Sequence, residues 1–289
     1  MYWYQQFFSF LIGISIALTP GFLFWITTQA HFNFQGETIQ AAFVSNDLPA
    51  APLNFSLAEK TLLIGEEKPD VLREYAAMEA CQGINKRDTQ EKVVALTFDD
   101  GPNGIYTSEI LDILQKEQVR ATFFVVGNEI APTEERLIGR MTQDGHIVGV
   151  HSFSHRDLRT LSKLEREEEM EKTAGLIKRI TEERPLLMRP PYGACNKETT
   201  KNIEDFGFTI ITWSAMTNDY EDLKVTPQWI TQDILARVHP GAIIDLHDGG
   251  DNRLPTVQAL PQIIHELKNQ GYTFLTIPEL LQVEAYANR

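Results

Sequence analysis

VVALTFDDGP, residues 93–102, carries an apolar run straight into two adjacent carboxylates and a Gly-Pro turn. The run VVALTF, 93–98, reads as a buried strand, too short and too rich in β-branched residues for a helix. Asp99 and Asp100 stand at its exit. Two like charges side by side repel, and neither suits a core, so the end of this strand is where the chain invests in chemistry. Gly101-Pro102 then turns the backbone away.

The same unit recurs along the chain. Strands are predicted over 93–98, 120–126, 147–151, 186–189, 208–213, 241–247 and 272–276. Amphipathic helical patterns fall between them, over 105–117, 133–144, 160–182, 197–206, 227–238 and 256–269. Gly145, Gly207 and Gly271 sit just before strands, where helix C-terminal caps belong. Seven strands alternating with helices predict an α/β fold, an incomplete (β/α)7 barrel. An open doubly wound sheet fits the same alternation. The run LEREEEMEKT, 164–173, predicts a solvated helix face.

Ahead of this unit the composition changes. Met1 to Gly36 contains no Asp, Glu, Lys or Arg, and Phe7 to Thr28 is about long enough to span a bilayer. It lacks the basic start of a typical export signal. Residues 1–30 are expected to be a signal peptide or an uncleaved membrane anchor, with a buried core helix as the alternative. Residues 31–90 are expected to be a linker with a leader helix over 69–80, and residues 91–285 the catalytic domain. Either membrane reading makes the protein extracytoplasmic, anchored or secreted. The two cysteines, Cys81 and Cys195, either pair or remain buried thiols. A formal net charge of −14 argues against a nucleic-acid partner. A monomer is the default expectation.

The unusual polar residues cluster by strand end. Asp99 and Asp100 follow the first strand, His151 and His155 the third, and Arg189 the fourth. Trp213, with Asp219 soon after, follows the fifth; His247 and Asp248 follow the sixth. In a parallel barrel those ends meet at one face, where active sites form. HSFSH, 151–155, offers two imidazoles four residues apart, and a carboxylate from Asp99 or Asp100 would complete a two-His, one-carboxylate metal set with open positions. RPPYG, 189–193, joins a cation able to pair with a carboxylate to a stiff turn able to aim an N–H at a developing oxyanion. LHD, 246–248, adds a histidine suited to ligation or to acid catalysis.

Together TFDDGP, HSFSH, RPPYG and IIDLHDG, in this order, resemble the NodB-homology polysaccharide deacetylases of carbohydrate esterase family 4, over roughly residues 91–285. The resemblance implies metal-dependent removal of acetyl groups from N-acetylated sugars. By position, Asp100, His151 and His155 would bind a divalent metal, usually zinc. Asp99 would be the general base, and Arg189 would position it and keep it ionised. The Tyr192 backbone N–H would help hold the oxyanion, and His247 would protonate the leaving amine. Leu246 and Trp213 would wall the acetyl pocket, with Asp219 among the substrate-side residues.

One motif departs from the family. The pattern Asp-x-x-Asp-Trp is often found after the fifth strand; here the segment is WSAMTNDY, 213–220. With Asp219 as the second Asp, Met216 replaces the first and Tyr220 replaces the Trp. The first Asp is taken to tune the catalytic histidine. His247 is therefore expected to lack its usual partner, to have a lowered pKa, and to lose activity at a lower alkaline pH, unless Asp219, Asp245 or Asp248 substitutes. A carbohydrate-binding pseudoenzyme and a metal-dependent C–N hydrolase of a non-sugar amide are the competing functions. Peptidoglycan, chitin-type oligomers, other N-acetylglucosamine polymers and O-acetylated xylan are the candidate acetylated glycan substrates.

Overall fold

The computed structural model describes residues 10–17, 23–30, 81–219 and 225–287, and the chain divides into two units, Met1–Glu67 and Lys68–Arg289. In the first unit, β1 (Phe10–Ala17) and β2 (Leu23–Ala30) pair antiparallel. The rest of the expected anchor, the linker and the helix expected over 69–80 lie outside the described residues. No helix among the described residues is long and apolar enough to cross a membrane.

The second unit grows from β3 (Val93–Asp99), buried at every residue after Val93. On one side follow β4 (Thr122–Val125), β5 (Ile147–Val150), β6 (Leu187–Met188) and β7 (Thr209–Ile210). On the other lie β9 (Ala242–His247) and then β8 (Ala215–Met216), giving the order β7-β6-β5-β4-β3-β9-β8. All pairings in this sheet are parallel. The helices α1 (Tyr106–Glu117), α2 (Glu135–Gln143), α3 (Lys163–Thr181), α4 (Lys197–Asp205), α5 (Pro227–Arg237) and α6 (Leu254–Asn269) connect the strands. The result is a curled half-barrel. The open doubly wound alternative is set aside.

Two details differ from the sequence pattern. The seventh expected strand, β10 (Thr273–Leu275), does not extend the rim; it pairs with the first half of β3, Thr273 beside Val93. The short β8 is not announced by any apolar run.

Strand alternation sorts the core into two layers. Leu96, Phe98, Phe123 and Ile244 face the helices and pack with Leu111, Ile138 and Ile263. Ala95, Phe124, Leu187, Ile211 and Ile243 face the barrel interior, where α7 (Ile277–Leu281) adds Ile277 and Leu280. Helix α3 opens on a Ser162–Glu165 capping box. Its charged run is only in part a solvated face: Arg166 is 2% exposed and donates to the Leu161 carbonyl and the Asn202 side chain.

The described end of the leader, from Cys81, is tied to the sheet. Ile84 bridges Ile211 and Lys86 bridges Ala242, so the segment reaches from the end of β7 to the start of β9. Cys81 and Cys195 form a disulfide, with Cα atoms 4.4 Å apart and 114 residues between them in sequence. The Cys81 N–H also donates to the Gly193 carbonyl at 3.0 Å. A crosslink closing so long a loop removes much of the freedom of the unfolded chain. The Cys81→Ser/Cys195→Ser double variant should therefore lose about 2–5 kcal/mol of unfolding free energy in denaturant titration. Equal midpoints for the two chains, with the wild type verified as oxidised, would rule out that contribution.

Candidate active site

Asp99 is the last residue of β3 and Asp100 the first beyond it. Asp100 has φ 73°, a left-handed conformation costing an ordinary residue roughly 1–2 kcal/mol. Seven non-glycine residues among those described have positive φ. Gln118, Glu182 and Gln282 simply end helices. The other four, Asp100, Ser152, His155 and Tyr192, all lie in the motifs singled out above. Backbone strain of this kind persists only where surrounding contacts impose it.

Asp100, His151 and His155 meet. Asp100 Oδ1 lies 3.1 Å from His155 Nε2 and 3.5 Å from His151 Nε2. One ligating atom from each residue falls within 4.8 Å of the others. His151 Nδ1 sits 2.7 Å from the Arg189 carbonyl, so Nδ1 carries the proton and leaves Nε2, in the neutral ring, as the nitrogen able to ligate, an arrangement common in metal sites. Asp100 Oδ1 is buried without an aligned donor. Burial pushes the Asp100 carboxyl up, but the neighbouring His151 and His155 imidazoles override it and hold it well below the usual range. An ionised, donor-poor carboxylate oxygen facing two imidazoles fits a divalent cation.

Beside this trio lies a buried charge cluster. Arg189, fully buried, reaches Asp99 Oδ1 at 2.8 Å and Asp245 Oδ1 at 2.6 Å through Nη1, with Thr97 Oγ1 at 2.8 Å. Its guanidinium lies 4.4 Å from the Phe124 ring and 5.4 Å from that of Trp213. Asp99 Oδ2 faces His151 Nε2 at 3.7 Å. Burial, then the charge of Asp99, push the Asp245 carboxyl up to about 7 despite Arg189. Burial likewise lifts Asp248, whose side chain is bonded by Thr107, to about 7.

His247 has its partner. Its Nδ1 lies 2.7 Å from Asp219 Oδ1, and its backbone N–H donates to Asp219 Oδ2. Thr256 Oγ1 donates to the same Oδ2 at 2.8 Å, and the Arg253 guanidinium fixes the Asp219 carbonyl at 3.0 Å. Burial alone would push the imidazole down; Asp219 overrides it and raises the pKa to about 10. Of the alternatives named for His247, the structure shows substitution by Asp219: the ring is partnered despite Met216, and its pKa is raised rather than lowered. Asp219 is correspondingly not open to substrate, because both its carboxylate oxygens are engaged within the protein. Tyr220 lies outside the described residues.

Leu246 is the second correction. Along β9, Asp245 and His247 point into the barrel while Leu246 points to the helices, among the same buried residues as Leu96 and Phe98. The pocket side of this strand end is therefore Asp245, which the LHD pattern hides. The i, i+2 spacing to His247 was the available signal. Trp213 does sit at the mouth: a Cβ on Gly193 would meet its ring at 2.6 Å, so only glycine lets the RPPYG turn press against it. Tyr192, at φ 62°, is 59% exposed, its ring set edge to face with that of His155, centroids 4.7 Å apart.

A family profile described as polysaccharide deacetylase matches residues 86–211. A peptidoglycan-N-acetylglucosamine deacetylase of Bacillus cereus is 34% identical over 192 residues, covering 66% of this chain and 89% of that protein. The peptidoglycan-N-acetylmuramic acid deacetylase PdaA of Bacillus subtilis is 32% identical over 253 residues, 85% of this chain and 90% of that protein. The crystal structure of the Bc1960 peptidoglycan N-acetylglucosamine deacetylase superposes with a TM-score of 0.68 at 30% identity, covering 76% of this chain and 100% of that one. A parallel half-barrel together with these matches defines a hydrolase of the carbohydrate deacetylase class. The chain belongs to the polysaccharide deacetylases, the NodB-homology enzymes of carbohydrate esterase family 4.

Asp245 gives the site a stability signature. Unfolded, it ionises near pH 4; folded, only near 7. Wild type therefore loses stability as pH rises between those values, because the unfolded chain releases that proton first. Asp245→Asn keeps an oxygen for Arg189 and has no such loss. In the metal-free protein its stability relative to wild type should climb from about pH 4 to pH 7 and then level off. A difference flat across that window in paired denaturant titrations would refute the assignment.

Proposed function

We propose that this chain deacetylates N-acetylated sugars of peptidoglycan, N-acetylglucosamine or N-acetylmuramic acid, outside the cytoplasm. The B. cereus and B. subtilis relatives, named for these two activities, support the substrate class. The observation that carries the reading is one mouth that brings the Asp100, His151 and His155 trio together with Asp99, held by Arg189, and His247, held by Asp219. Residues 1–30 serve as the export signal or anchor, 31–90 as linker and leader, and 91–285 as the catalytic domain.

Asp100, His151 and His155 hold the cation, for which zinc is the proposed identity. When bound, it polarises the acetyl carbonyl and makes water acidic enough to be a nucleophile near neutral pH. Asp99, oriented by Arg189, accepts the proton of the attacking water. Tyr192 offers its backbone N–H to the oxyanion, and Trp213 walls the acetyl methyl. With Nδ1 engaged by Asp219, His247 delivers a proton from Nε2 to the leaving amine. The Asp219–His247 pair speaks against the pseudoenzyme reading, because it gives His247 the carboxylate that Met216 does not.

The direct test is acetate release from N-acetylated peptidoglycan fragments, with and without chelator. Release that chelator stops and zinc restores is expected; no release by the zinc-loaded protein overturns the reading. Asp99→Asn should lower kcat by at least about 100-fold while zinc stoichiometry stays at the wild-type value.

Asp219→Asn gives an independent check on His247. An acid with a pKa of about 10 stays protonated through neutral and mildly alkaline pH. Removing the Asp219 charge lowers that pKa, so the alkaline limb of kcat should move to lower pH. An unmoved limb would exclude His247 as the acid.

A further inference from the structure

The loop HSFSH is held from behind by helix α3. Glu169 Oε2 accepts the Phe153 N–H at 2.9 Å and the Ser154 N–H at 2.7 Å. Its Oε1 accepts from Ser154 Oγ at 2.7 Å. One turn further along the same helix, Thr173 Oγ1 donates to the Ser152 carbonyl at 2.8 Å. The loop needs such support. Ser152 and His155, the residues flanking the Glu169 contacts, have φ 61° and φ 55°. Two successive N–H groups converging on one oxygen form a small anion cradle, filled here by the protein's own carboxylate. Opposite, the Gly127 and Asn128 N–H groups donate to the Ser152 and Phe153 carbonyls at 3.0 and 2.8 Å. A Cβ on Gly127 would meet Thr173 Oγ1 at 2.3 Å and the Phe153 ring at 2.6 Å, so loop, helix and the segment after β4 are in close contact.

We infer that Glu169 is a positioning residue for the metal site: by capping the Phe153 and Ser154 N–H groups it holds the strained loop on which His151 and His155 converge. It touches neither substrate nor cation. The loop could relax its two left-handed residues if those N–H groups turned to water. His155, at the far end of the capped segment, would then leave its 3.1 Å approach to Asp100. The inference rests on the metal assignment proposed above. It also gives the charged run 164–173 a task that a solvated face does not have.

The test reads zinc affinity by competition with a chromophoric chelator, using the full chain, with a circular dichroism melt to verify folding. Outer-shell partners of metal ligands are worth about 10–100-fold in affinity. Glu169→Ala should therefore bind zinc about 10–100-fold more weakly than wild type, with the fold retained. Glu169→Gln can accept both N–H groups through one oxygen and donate to Ser154 Oγ, and should stay within about threefold of wild type, a rescue that general destabilisation would not produce. Should the alanine variant fail to fold, Glu169→Asp, which withdraws the carboxylate by one methylene, takes its place with the same expected weakening. A folded Glu169→Ala or Glu169→Asp chain with wild-type zinc affinity overturns the inference, as does a Gln variant as weak as either. Because zinc binding and not acetate release is measured, the inference can fail while the deacetylase reading stands. A wild-type chain that takes up no zinc would instead strike at the metal assignment.

Discussion

Arg189 is the residue on which the second unit turns. Its guanidinium is sealed from solvent, and removing a partner from a buried ion pair costs about 3–5 kcal/mol. The surrounding strands must therefore all deliver their acceptors. Thr97 and Asp99 come from β3, Asp245 from β9, and carbonyls from Ile211 and Thr212 just beyond β7. Arg189 itself follows β6. Strands distant in the sheet order converge on one planar cation, which requires the sheet to curl. A lysine has no rigid fork to serve acceptors in so many directions. Phe124 and Trp213 add aromatic faces beside the guanidinium, closing it off without competing for its donors.

The same cluster sets the charge balance of the mouth. One guanidinium faces two carboxylates, Asp99 and Asp245, and Asp100 and Asp248 lie next door. The burial that excludes water makes this excess of acid costly, and it surfaces as Asp245 and Asp248 pushed up to about 7. Such a site is completed by positive charge. His247, raised to about 10 by Asp219, supplies some on one side. The trio of Asp100, His151 and His155 is shaped to gather more on the other.

Much of this was legible in the sequence because it rests on local pattern. Alternating apolar runs and amphipathic stretches gave the parallel fold, and residue order gave the convergence at one mouth. What stayed hidden depends on which residues the fold brings together. The Asp219–His247 pair spans 28 residues, and motif spacing alone cannot choose Asp219 over Asp245 or Asp248 as the partner. Glu169 looked like one more charge in LEREEEMEKT, since composition cannot tell a carboxylate facing water from one facing two backbone N–H groups. The disulfide was open for the same reason, because 114 residues separate its ends and only the path of the leader brings them together.

Register explains why the LHD motif misleads at its leucine. In the parallel ladder Asp99 lies beside His247 and Thr97 beside Asp245, while Phe98 lies beside Leu246. Side chains alternate, so the polar set shares the barrel face and the apolar set shares the helix face. A slip of one residue would exchange them, putting Phe98 and Leu246 in the mouth and burying carboxylates among the helices. The hydrophobic layer therefore enforces the polar one: the packing of Leu96, Phe98, Ile244 and Leu246 against the helices fixes which side chains can face Arg189. Asp245 enters the site because its neighbours Ile244 and Leu246 have to leave it.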